Sequence, residues 1–435
     1  MKQPIYKELQ KFIAESGFLC VVKAPPGSGK SYNLLESLED AISVKRIAIA
    51  AQTNNQVDDL CKRFCDRYPD EKIFRFSSRS YAGSEDFPEC VKIITDKKHL
   101  PEDESVMIGT VAKFGLSKFA VKYDVLLIDE AWQMTWANFL TLRDVSSRFI
   151  LIGDPGQIPP TVTINVDRWA VSPDAPHRAA PDVVLENPDL SPDVTVLNLD
   201  ICRRLPSDSV ALVQTFYDFK FEPLAKQGER FVRPKKPSDG STIDRTIDLL
   251  MTNSSIILTQ PTGADGAPIE TDRELAKVAA KIAQRLIDRG CLISTGPRER
   301  DTPRKIKPID IGIVSTHNQM NTAIQTELPR DLSEVHVTTP ERWQGLQRAV
   351  MIAIHPLSGV MSPSSFDLET GRLCVMASRH QSACIFVTRD HVGETLDTHM
   401  PIADQALGCG DIVGRGHQQH TEFWRYHLER NLIIQ

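Results

Sequence analysis

The sequence lacks any long hydrophobic run. None of its 435 residues falls in a stretch of 18 or more consecutive apolar residues, so the sequence offers no candidate for a membrane-spanning helix. The first ten residues carry charges in place of the apolar core of a signal peptide. Internal repeats and low-complexity tracts are missing too. With 41% hydrophobic residues to fill sizeable cores, the composition favours a globular, cytoplasmic protein of two or three domains with no membrane partner.

Paired metal-binding cysteines and an excess of positive charge are also absent. The nine cysteines include no C-x-x-C pair, and Cys61 and Cys65 have no Cys or His neighbours at zinc spacing. We therefore expect buried free thiols. The net charge of −6 argues against a protein that coats nucleic acid through bulk positive charge, although a narrow basic groove remains compatible with it.

The clearest feature present is a glycine-containing loop, Ala24 to Ser31, between an apolar run at Phe18 to Val22 and an amphipathic stretch at Ser31 to Leu38. Its spacing is that of a phosphate-binding P-loop with Ala24 at the first glycine position. Lys30 would reach the β- and γ-phosphates, and Ser31 would hold Mg²⁺ through its hydroxyl. A plain glycine turn is the alternative, but a strand before and a helix after favour a nucleotide site. The predicted nucleotide contacts are Pro26, Gly27, Ser28, Gly29, Lys30 and Ser31.

Two further apolar runs end in residues suited to phosphate chemistry. Val125 to Ile128 leads into Asp129 and Glu130, at the sheet edge where ligands bind in open α/β folds. Asp129 would hold Mg²⁺ through water, and Glu130 would polarise the attacking water. The alternative is that these are two solvated acids in the first turn of a helix, which is less favoured in a sequence that also contains a P-loop. The run from Phe149 to Gly153 precedes Gln157, which is positioned to sense the γ-phosphate or the water.

Short β-branched runs alternate with helical patterns along the chain, which predicts parallel sheets built from β-α-β units. The predicted strands form two series, so we expect two α/β domains, residues 1–198 and 199–435. The segment from Pro159 to Pro192 holds seven prolines and predicts a long irregular connection. The predicted strands after the first are Arg46 to Ala51, Val106 to Thr110, Val125 to Asp129, Phe149 to Gly153, Val194 to Leu199, Ser255 to Gln260, Ile311 to Ser315, Val335 to Thr339, Ala349 to His355 and Ala383 to Thr388.

The order of these segments resembles the motif order of superfamily 1 helicases, particularly the 5′→3′ branch that includes the nonsense-mediated decay RNA helicase and its bacterial relatives. The resemblance spans about Ala24 to Thr388. The matching segments, in family order from motif I, are Ala24 to Ser31, Ala51 to Leu60, Gly109-Thr110, Asp129 to Gln133, Gly153 to Pro160, Cys202 to Pro206, Ile311 to Gln319, Thr338 to Gln347 and Val375 to Arg379.

The resemblance implies two tandem RecA-like P-loop NTPase domains with parallel sheets and an ATP cleft between them. It implies that Arg203 and Arg379 of the second domain stabilise the charge that develops during hydrolysis, and that Gly345 contacts the nucleotide. A surface ion pair is the alternative for either arginine taken alone. Gln347 stands where the family has a glutamate, which puts the coupling of hydrolysis to movement in question. The adenine-reading residue cannot be assigned, so the preference for ATP comes from the resemblance alone.

The resemblance also implies that the protein binds a single strand of nucleic acid, with DNA slightly favoured over RNA. The residues that would contact its backbone are Thr53, Asn54, Thr110, His317, Thr338 and Thr339. Each could equally be an ordinary polar loop residue. Two basic stretches, Lys226 to Lys236 and Arg298 to Lys307, could add phosphate contacts, but solvated loops are the favoured interpretation. Trp343 could stack on a base or pack in the core.

The sequence therefore predicts an ATP- and Mg²⁺-dependent nucleic-acid helicase or single-strand translocase with 5′→3′ polarity. The alternative is an ATP-switched clamp on nucleic acid or protein that does not unwind processively. A P-loop kinase is disfavoured, because nothing resembles an acceptor pocket and the second domain would be unexplained. A protein partner could supply an accessory function.

Overall fold

The computed structural model describes residues 4–15, 17–81, 87–101, 103–163, 165–169, 172–263, 268, 270–401 and 411–435. They form two compact units. The first contains residues up to Pro155 together with Pro159–Leu199, and the second contains Gly156–Ile158 and the described residues from Asp200 onward. Within the described ranges, no helix is both long enough and apolar enough to cross a membrane.

The first unit is built on an eight-stranded sheet in which every neighbouring pair is parallel. Its strands are β1 (Leu19–Lys23), β2 (Arg46–Ala51), β3 (Ile73–Phe76), β4 (Val91–Ile94), β5 (Ser105–Thr110), β6 (Val125–Ile128), β7 (Phe149–Gly153) and β8 (Val194–Asn198). They lie in the order β4-β3-β5-β2-β6-β7-β1-β8. The central strands are almost wholly buried because helices cover both faces of the sheet, as parallel sheets require.

Six α-helices accompany this sheet among the described residues: α1 (Ile5–Ala14), α2 (Lys30–Glu36), α3 (Asn54–Arg67), α4 (Val111–Gly115), α5 (Trp136–Leu140) and α6 (Ala180–Glu186). Side chains of α1, α2 and α3 pack in the core on one face, and those of α4, α5 and α6 pack in the core on the other. Short 3₁₀ segments lie at Lys97–His99, Ala131–Gln133, Thr141–Asp144, Asp167–Trp169 and Ser191–Asp193.

The second unit contains the strands β9 (Ile201–Cys202), β10 (Glu222–Pro223), β11 (Phe231–Arg233), β12 (Ser255–Gln260), β13 (Leu292–Ser294), β14 (Arg304–Lys305), β15 (Ile311–Val314), β16 (His336–Thr338), β17 (Arg348–Ile354), β18 (His380–Arg389) and β19 (Ile433–Ile434). Its main sheet has the order β16-β15-β17-β18-β12-β19, and all its pairs are parallel. Strands β11, β13 and β14 form a separate antiparallel sheet, and β9 pairs with β10.

The helices of the second unit are α7 (Ser207–Val213), α8 (Thr242–Leu249), α9 (Arg273–Asp288), α10 (Asn318–Glu327), α11 (Pro340–Trp343), α12 (Thr370–Ser378), α13 (Val392–Thr398) and α14 (Ile412–Glu429). Short 3₁₀ segments lie at Gln214–Phe216, Pro308–Asp310 and Arg330–Leu332. Two core clusters lie on the main sheet, one with α8, α9 and α10 and the other with α7, α12 and α14. Two large parallel sheets with helices confirm the predicted α/β class.

Three expectations are wrong in part. The proline-rich segment from Pro159 to Pro192 is not wholly irregular, because it contains α6, whose apolar side chains pack on the first sheet. The two basic stretches are not simply solvated loops, since β11 and β14 lie within them. Cys65 and Cys90 form a disulfide because the last turn of α3 lies against the residues before β4; six other cysteines are free and buried.

Candidate nucleotide-binding site

The glycine loop joins the end of β1 to the start of α2, where an open α/β sheet binds its ligands. The loop begins in register with its neighbour, because the Ala24 N–H donates to the Gly153 carbonyl at 2.8 Å. Gly27 and Gly29 have φ angles of +66° and +83°, a left-handed conformation that side chains disfavour. The glycines therefore allow a backbone path in which successive N–H groups can face an anion.

Ser28 supplies an independent sign of a missing ligand. Its side chain is 4% exposed, and its hydroxyl oxygen has no hydrogen-bond partner. Buried hydroxyls are nearly always hydrogen-bonded, since leaving one unpaired costs about 1–3 kcal/mol. A phosphate oxygen in the loop would satisfy this hydroxyl.

The predicted P-loop and acidic residues meet in the structure. The Lys30 ammonium forms an ion pair with Glu130, with Nζ to Oε2 at 2.6 Å. The Ser31 hydroxyl lies 3.5 Å from Oδ2 of Asp129. These contacts bridge about a hundred residues of sequence and bring together a cation for phosphate, two oxygen ligands for a hard metal ion, and a carboxylate that can act as a base.

The backbone at Glu130 is unusual. Its φ and ψ are 52° and 43°, and it is one of two non-glycine residues with positive φ in the described part of the chain. Such a conformation costs of order 1–3 kcal/mol and persists where the surroundings impose it. The Glu130 N–H donates to Oδ1 of Asp129 at 2.9 Å. The backbone conformation of Glu130 thus directs its carboxylate toward Lys30, and the Glu130 N–H orients the carboxylate of Asp129.

The charges in this site shift one another's pKa values. Burial lowers the pKa of the Lys30 ammonium, but the carboxylates of Glu130, Asp129 and Asp154 outweigh burial and raise that pKa above its ordinary value. Burial, with the neighbouring Glu130 carboxylate, raises the pKa of Asp129 to about 6, although Lys30 counteracts the rise. Lys30 is therefore held in its charged form, and a further positive charge beside Asp129 would favour the ionised form of that carboxyl group.

A pocket of about 310 Å³ opens beside Ser31. It is lined entirely by residues of α2 and α3, which besides Ser31 are Tyr32, Leu35, Glu36, Arg63, Asp66 and Arg67. The Tyr32 ring is 56% exposed. Sequence reasoning missed this pocket, because its two walls come from helices separated in the sequence by a whole strand.

Gln157, the predicted γ-phosphate sensor, is buried in the second unit together with Gly156 and Ile158. The Ile158 side chain belongs to the same core cluster as α7 and α12. A Cβ atom on Gly371, in the first turn of α12, would lie 2.6 Å from the Gln157 carbonyl carbon. Gly371 therefore permits a close approach of α12 to the backbone at Gln157.

The two predicted arginines differ in their surroundings. Arg203 is exposed, and its side chain makes no ion pair or hydrogen bond with any residue that the structure describes. Arg379 is 1% exposed, yet its Nε and Nη2 have no hydrogen-bond partner. Burying guanidinium nitrogens without hydrogen-bond partners costs free energy, and an anion bound beside Arg379 would remove that cost.

Gln347 is held by a residue that the sequence did not single out. Its Oε1 accepts a hydrogen bond from Nε of Arg204 at 2.8 Å. Nη1 of Arg204 donates to the Ser378 carbonyl at 3.2 Å, so one guanidinium joins the segments that carry Gln347 and Arg379. Gly345, two residues earlier, has a φ of +81° and open space around it. Sequence position alone could not separate Arg204 from the adjacent Arg203.

The predicted nucleic-acid contacts of the first unit have local partners. Thr53 caps α3 in a reciprocal capping box with Gln56, and Thr110 caps α4 by accepting from the Lys113 N–H at 3.1 Å. Oδ1 of Asn54 accepts from Nη2 of the buried Arg75 at 2.9 Å. These hydrogen bonds hold the side chains at the carboxyl ends of β2 and β5, and their contact with nucleic acid stays a prediction.

The predicted contacts of the second unit lie at the carboxyl ends of β15 and β16. His317 is half-buried at the start of α10, with its ring 6.0 Å from that of Phe366. Thr338 and Thr339 are each 8% exposed. Trp343 is fully buried, and its Nε1 donates to the Ile313 carbonyl at 3.2 Å. Trp343 is therefore a core residue, which decides between the two roles left open for it.

Comparison with known proteins gives one family match. Residues 95–164 match the model of a family described as an AAA domain. This segment contains Asp129, Glu130 and Gln157 but not the glycine loop. No curated protein sequence matches the chain.

Comparison with solved structures finds viral helicases of low similarity to this chain. The PRRSV helicase is 13% identical with a TM-score of 0.43, over 86% of this chain and 52% of that one. Arterivirus nonstructural protein 10, a helicase, in complex with DNA is 13% identical with a TM-score of 0.44, over 88% and 63%. The same helicase in a second structure is 12% identical with a TM-score of 0.45, over 89% and 64%. The chain thus spans between 52% and 64% of these structures.

Proposed function

We propose that this chain is an ATP-dependent nucleic-acid motor of the superfamily 1 helicase type, acting as a helicase or single-strand translocase with 5′→3′ polarity. The observation that carries the proposal is the pairing of Lys30 with Glu130 at 2.6 Å beside Ser31 and Asp129. A P-loop whose lysine and serine face two acids at the end of another strand of the same sheet is the arrangement that nucleotide hydrolysis requires. The ordered motifs of the second unit supply the motor part of the proposal.

The residues present fit ATP and Mg²⁺. The unpaired Ser28 hydroxyl and the glycine backbone suit phosphate oxygens, and the Ser31 hydroxyl and the Asp129 carboxylate are the oxygen ligands that Mg²⁺ prefers. A magnesium ion bound there would neutralise charge on the phosphates. The pocket beside Ser31 would take the ribose and base, with the exposed Tyr32 ring available for stacking.

The Lys30–Glu130 ion pair suggests how nucleotide binding prepares hydrolysis. The Lys30 side chain is 14% exposed and that of Glu130 17%, so both lie where an incoming phosphate can reach. Phosphate oxygens would compete for the Lys30 ammonium and release the Glu130 carboxylate. The released carboxylate can then accept a proton from water, so the base becomes available only when its substrate is bound.

The remaining roles rest on motif position. Gln157 would sense the γ-phosphate, Arg203 and Arg379 would stabilise the transferring phosphoryl group, and Gly345 would contact the nucleotide. The unpaired Nε and Nη2 of Arg379 support an anionic ligand for that residue. The nucleic-acid contacts proposed for the motif threonines, Asn54 and His317 have the same basis.

The central test is ATP hydrolysis by the full chain, with and without single-stranded DNA or RNA. Glu130→Gln keeps a hydrogen-bond acceptor for Lys30 but removes the base, so we expect hydrolysis to fall about 10²- to 10⁴-fold while nucleotide binding persists. Asp70→Asn, a neutralisation at an exposed site of the same unit, is the matched control and should leave both properties unchanged. Hydrolysis that neither polymer stimulates would refute a motor.

Strand displacement separates the motor from a clamp. Duplexes with a 5′ or a 3′ single-stranded tail should be separated only when the tail is 5′. A chain that binds single strands in an ATP-dependent way but displaces neither duplex, and does not travel along a single strand, would be the switched clamp.

A further inference from the structure

The two basic stretches, which are about seventy residues apart in the sequence, are joined in one small sheet. Strand β13 lies between β11 and β14, and both pairings are antiparallel. Arg233 of β11 and Lys305 of β14 are both paired with Leu292 of β13. Directly opposed residues of neighbouring strands point to the same face, so these two cations share a face of the sheet, about 9–10 Å apart across two strand spacings.

The opposite face of this sheet is the inner one. Val232 and Ile293 are fully buried, and Ile306, which follows β14, is 2% exposed. Because side chains alternate between faces along a strand, Arg233 and Lys305 lie on the other face, which is buried at Phe231 and Ser294 and exposed at the two cations. Lys235 and Lys307, each two residues beyond the end of its strand, are exposed like Arg233 and Lys305. We call these four residues the basic sheet face.

The turn before β13 brings two of the lysines close together. A Cβ atom on Gly290 would lie 3.8 Å from Cε of Lys305 and 3.9 Å from Cβ of Lys235. Gly290 has a φ of +59°, which favours glycine. Lys235 and Lys305 therefore both lie beside this turn.

Acids near the sheet are already neutralised by other arginines. Arg304, which lies on the opposite face of the sheet from Lys305, binds Asp310 at 2.6 Å and Glu299 at 3.4 Å. Asp244 and Asp248 pair with Arg285 and Arg289. By contrast, no residue of the basic sheet face forms an ion pair within the described part of the chain. The positive charge of this face is therefore uncompensated.

We propose that the basic sheet face binds the sugar-phosphate backbone of the nucleic-acid strand, as a site additional to the motif residues. Lysine and arginine side chains at this spacing suit a row of phosphates and carry no base-specific donors in fixed positions, so binding is independent of sequence. A local basic surface also explains how a chain with a net charge of −6 can hold a polyanion. The inference rests on the proposed function only in its choice of nucleic acid as the ligand.

The test compares two triple variants of the full chain. One removes Arg233, Lys235 and Lys305 by substitution with Ala. The matched control removes Arg273, Lys277 and Lys281, three exposed cations on one side of α9 in the same unit. Both variants lose the same net charge, and the six residues are exposed, so unfolding midpoints in urea should match the wild type.

Binding is measured by fluorescence anisotropy with labelled dT₂₀ and U₂₀ between 0.05 and 0.3 M salt, without nucleotide. Three lost contacts to a single strand should reduce the slope of log K against log salt by about 2, which weakens binding on the order of 100-fold at 0.1 M salt. Basal ATP hydrolysis should stay unchanged, because these residues lie outside the nucleotide site.

An unchanged slope in the sheet variant would overturn the proposal, as would equal losses in both variants, since these would reflect bulk charge. Wild-type chain that binds neither polymer would overturn it as well. Failure of the motor is a separate result. A sheet-dependent salt slope without stimulated hydrolysis would support this site and refute the motor, whereas stimulated hydrolysis with an unaffected sheet variant would do the reverse.

Discussion

Mild acid should destabilise the second unit, because three of its histidines are fully buried. His380, His420 and His427 are each 0% exposed. Burial is the main cause that lowers their pKa values, to about 3 for His380 and His420 and to about 4 for His427. Nearby positive charge adds to the effect at His380, where Arg204 and Arg230 contribute. All three rings are therefore neutral in the folded state at pH 5.5.

The local contacts do not supply a compensating acid. Nε2 of His380 lies 2.7 Å from the Ser209 hydroxyl, and Nε2 of His427 lies 2.9 Å from the Ser255 hydroxyl. Neither ring nitrogen of His420 has a hydrogen-bond partner, and its ring centre is 5.5 Å from that of His355. Protonation of any of these rings would thus place an unpaired charge in the core.

The sign and size of the effect follow from linkage. An unfolded histidine titrates near pH 6.5, so the unfolded state takes up protons that the folded state excludes as the pH falls below that value. The stabilisation is complete well above pH 6.5 and is lost progressively from there toward pH 3 to 4. At pH 5.5 each histidine lowers the free energy of unfolding by about 1.4 kcal/mol relative to neutral pH, and the three together lower it by about 4 kcal/mol. This is a large part of a typical free energy of unfolding of 5–15 kcal/mol.

Urea unfolding between pH 7.5 and 5 checks this prediction, with hydrogen exchange of β12 and β18 used to assign the transition to the second unit. His420→Leu should lower the pH dependence by about one proton, or roughly 1.4 kcal/mol per pH unit below pH 5.5. His99→Leu, at an exposed histidine of the first unit, should leave it unchanged. A wild-type stability that is level from pH 7.5 to 5.5 would refute the reasoning.

Two further substitutions test the packing and the polar contacts of the second unit. Gly312→Ala would place a Cβ 2.4 Å from Cη2 of Trp343 and 2.7 Å from Sδ of Met351, and we expect a loss of about 1–3 kcal/mol in urea unfolding; an unchanged midpoint would show that this core can yield. Gln347→Glu should turn the hydrogen bond from Arg204 into an exposed ion pair and stabilise the unit by about 0.2–1 kcal/mol at low salt. That gain should vanish near 1 M salt, and a gain that salt does not reduce would contradict an ion pair.

Strands that are buried on both faces were predictable because they read as unbroken apolar runs. Strands β2, β7 and β12 have the predicted bounds. Strand β3 was missed because Arg75 interrupts its apolar character. In the structure Arg75 is 1% exposed and its Nε binds Oδ1 of Asp58 at 3.0 Å. The sequence of one β-strand cannot show that Arg75 is buried, because its partner Asp58 lies on the helix α3.

The small antiparallel sheet escaped prediction for a different reason. Its strands are only two or three residues long and carry exposed cations, so neither alternation nor an apolar run identifies them. Their pairing also depends on a turn at Gly290 and on a core that other elements supply. Long-range pairing of this kind is decided by tertiary packing.

Helix capping by the motif threonines could have been read from the sequence. Thr53 is followed three residues later by Gln56, which is the pattern of a capping box. The structure contains both halves of that box, with the Thr53 N–H bound to Oε1 of Gln56 at 3.0 Å. Nε2 of Gln56 also donates to Oε1 of Gln133 at 3.2 Å. This second contact depends on where β2 and β6 end, and only the fold reveals it.

The contact between Lys30 and Glu130 could be predicted in part from the sequence and in part only from the fold. Parallel strands end at one edge of a sheet, so the loops after β1 and β6 could be expected at the same edge. The order β6-β7-β1 places one strand between them, and the left-handed backbone at Glu130 sets where its carboxylate points. Glutamate rarely adopts a left-handed backbone conformation, and such departures from local preference are expected at functional sites. The conformation least predictable from sequence is therefore the one that brings the Glu130 carboxylate to Lys30.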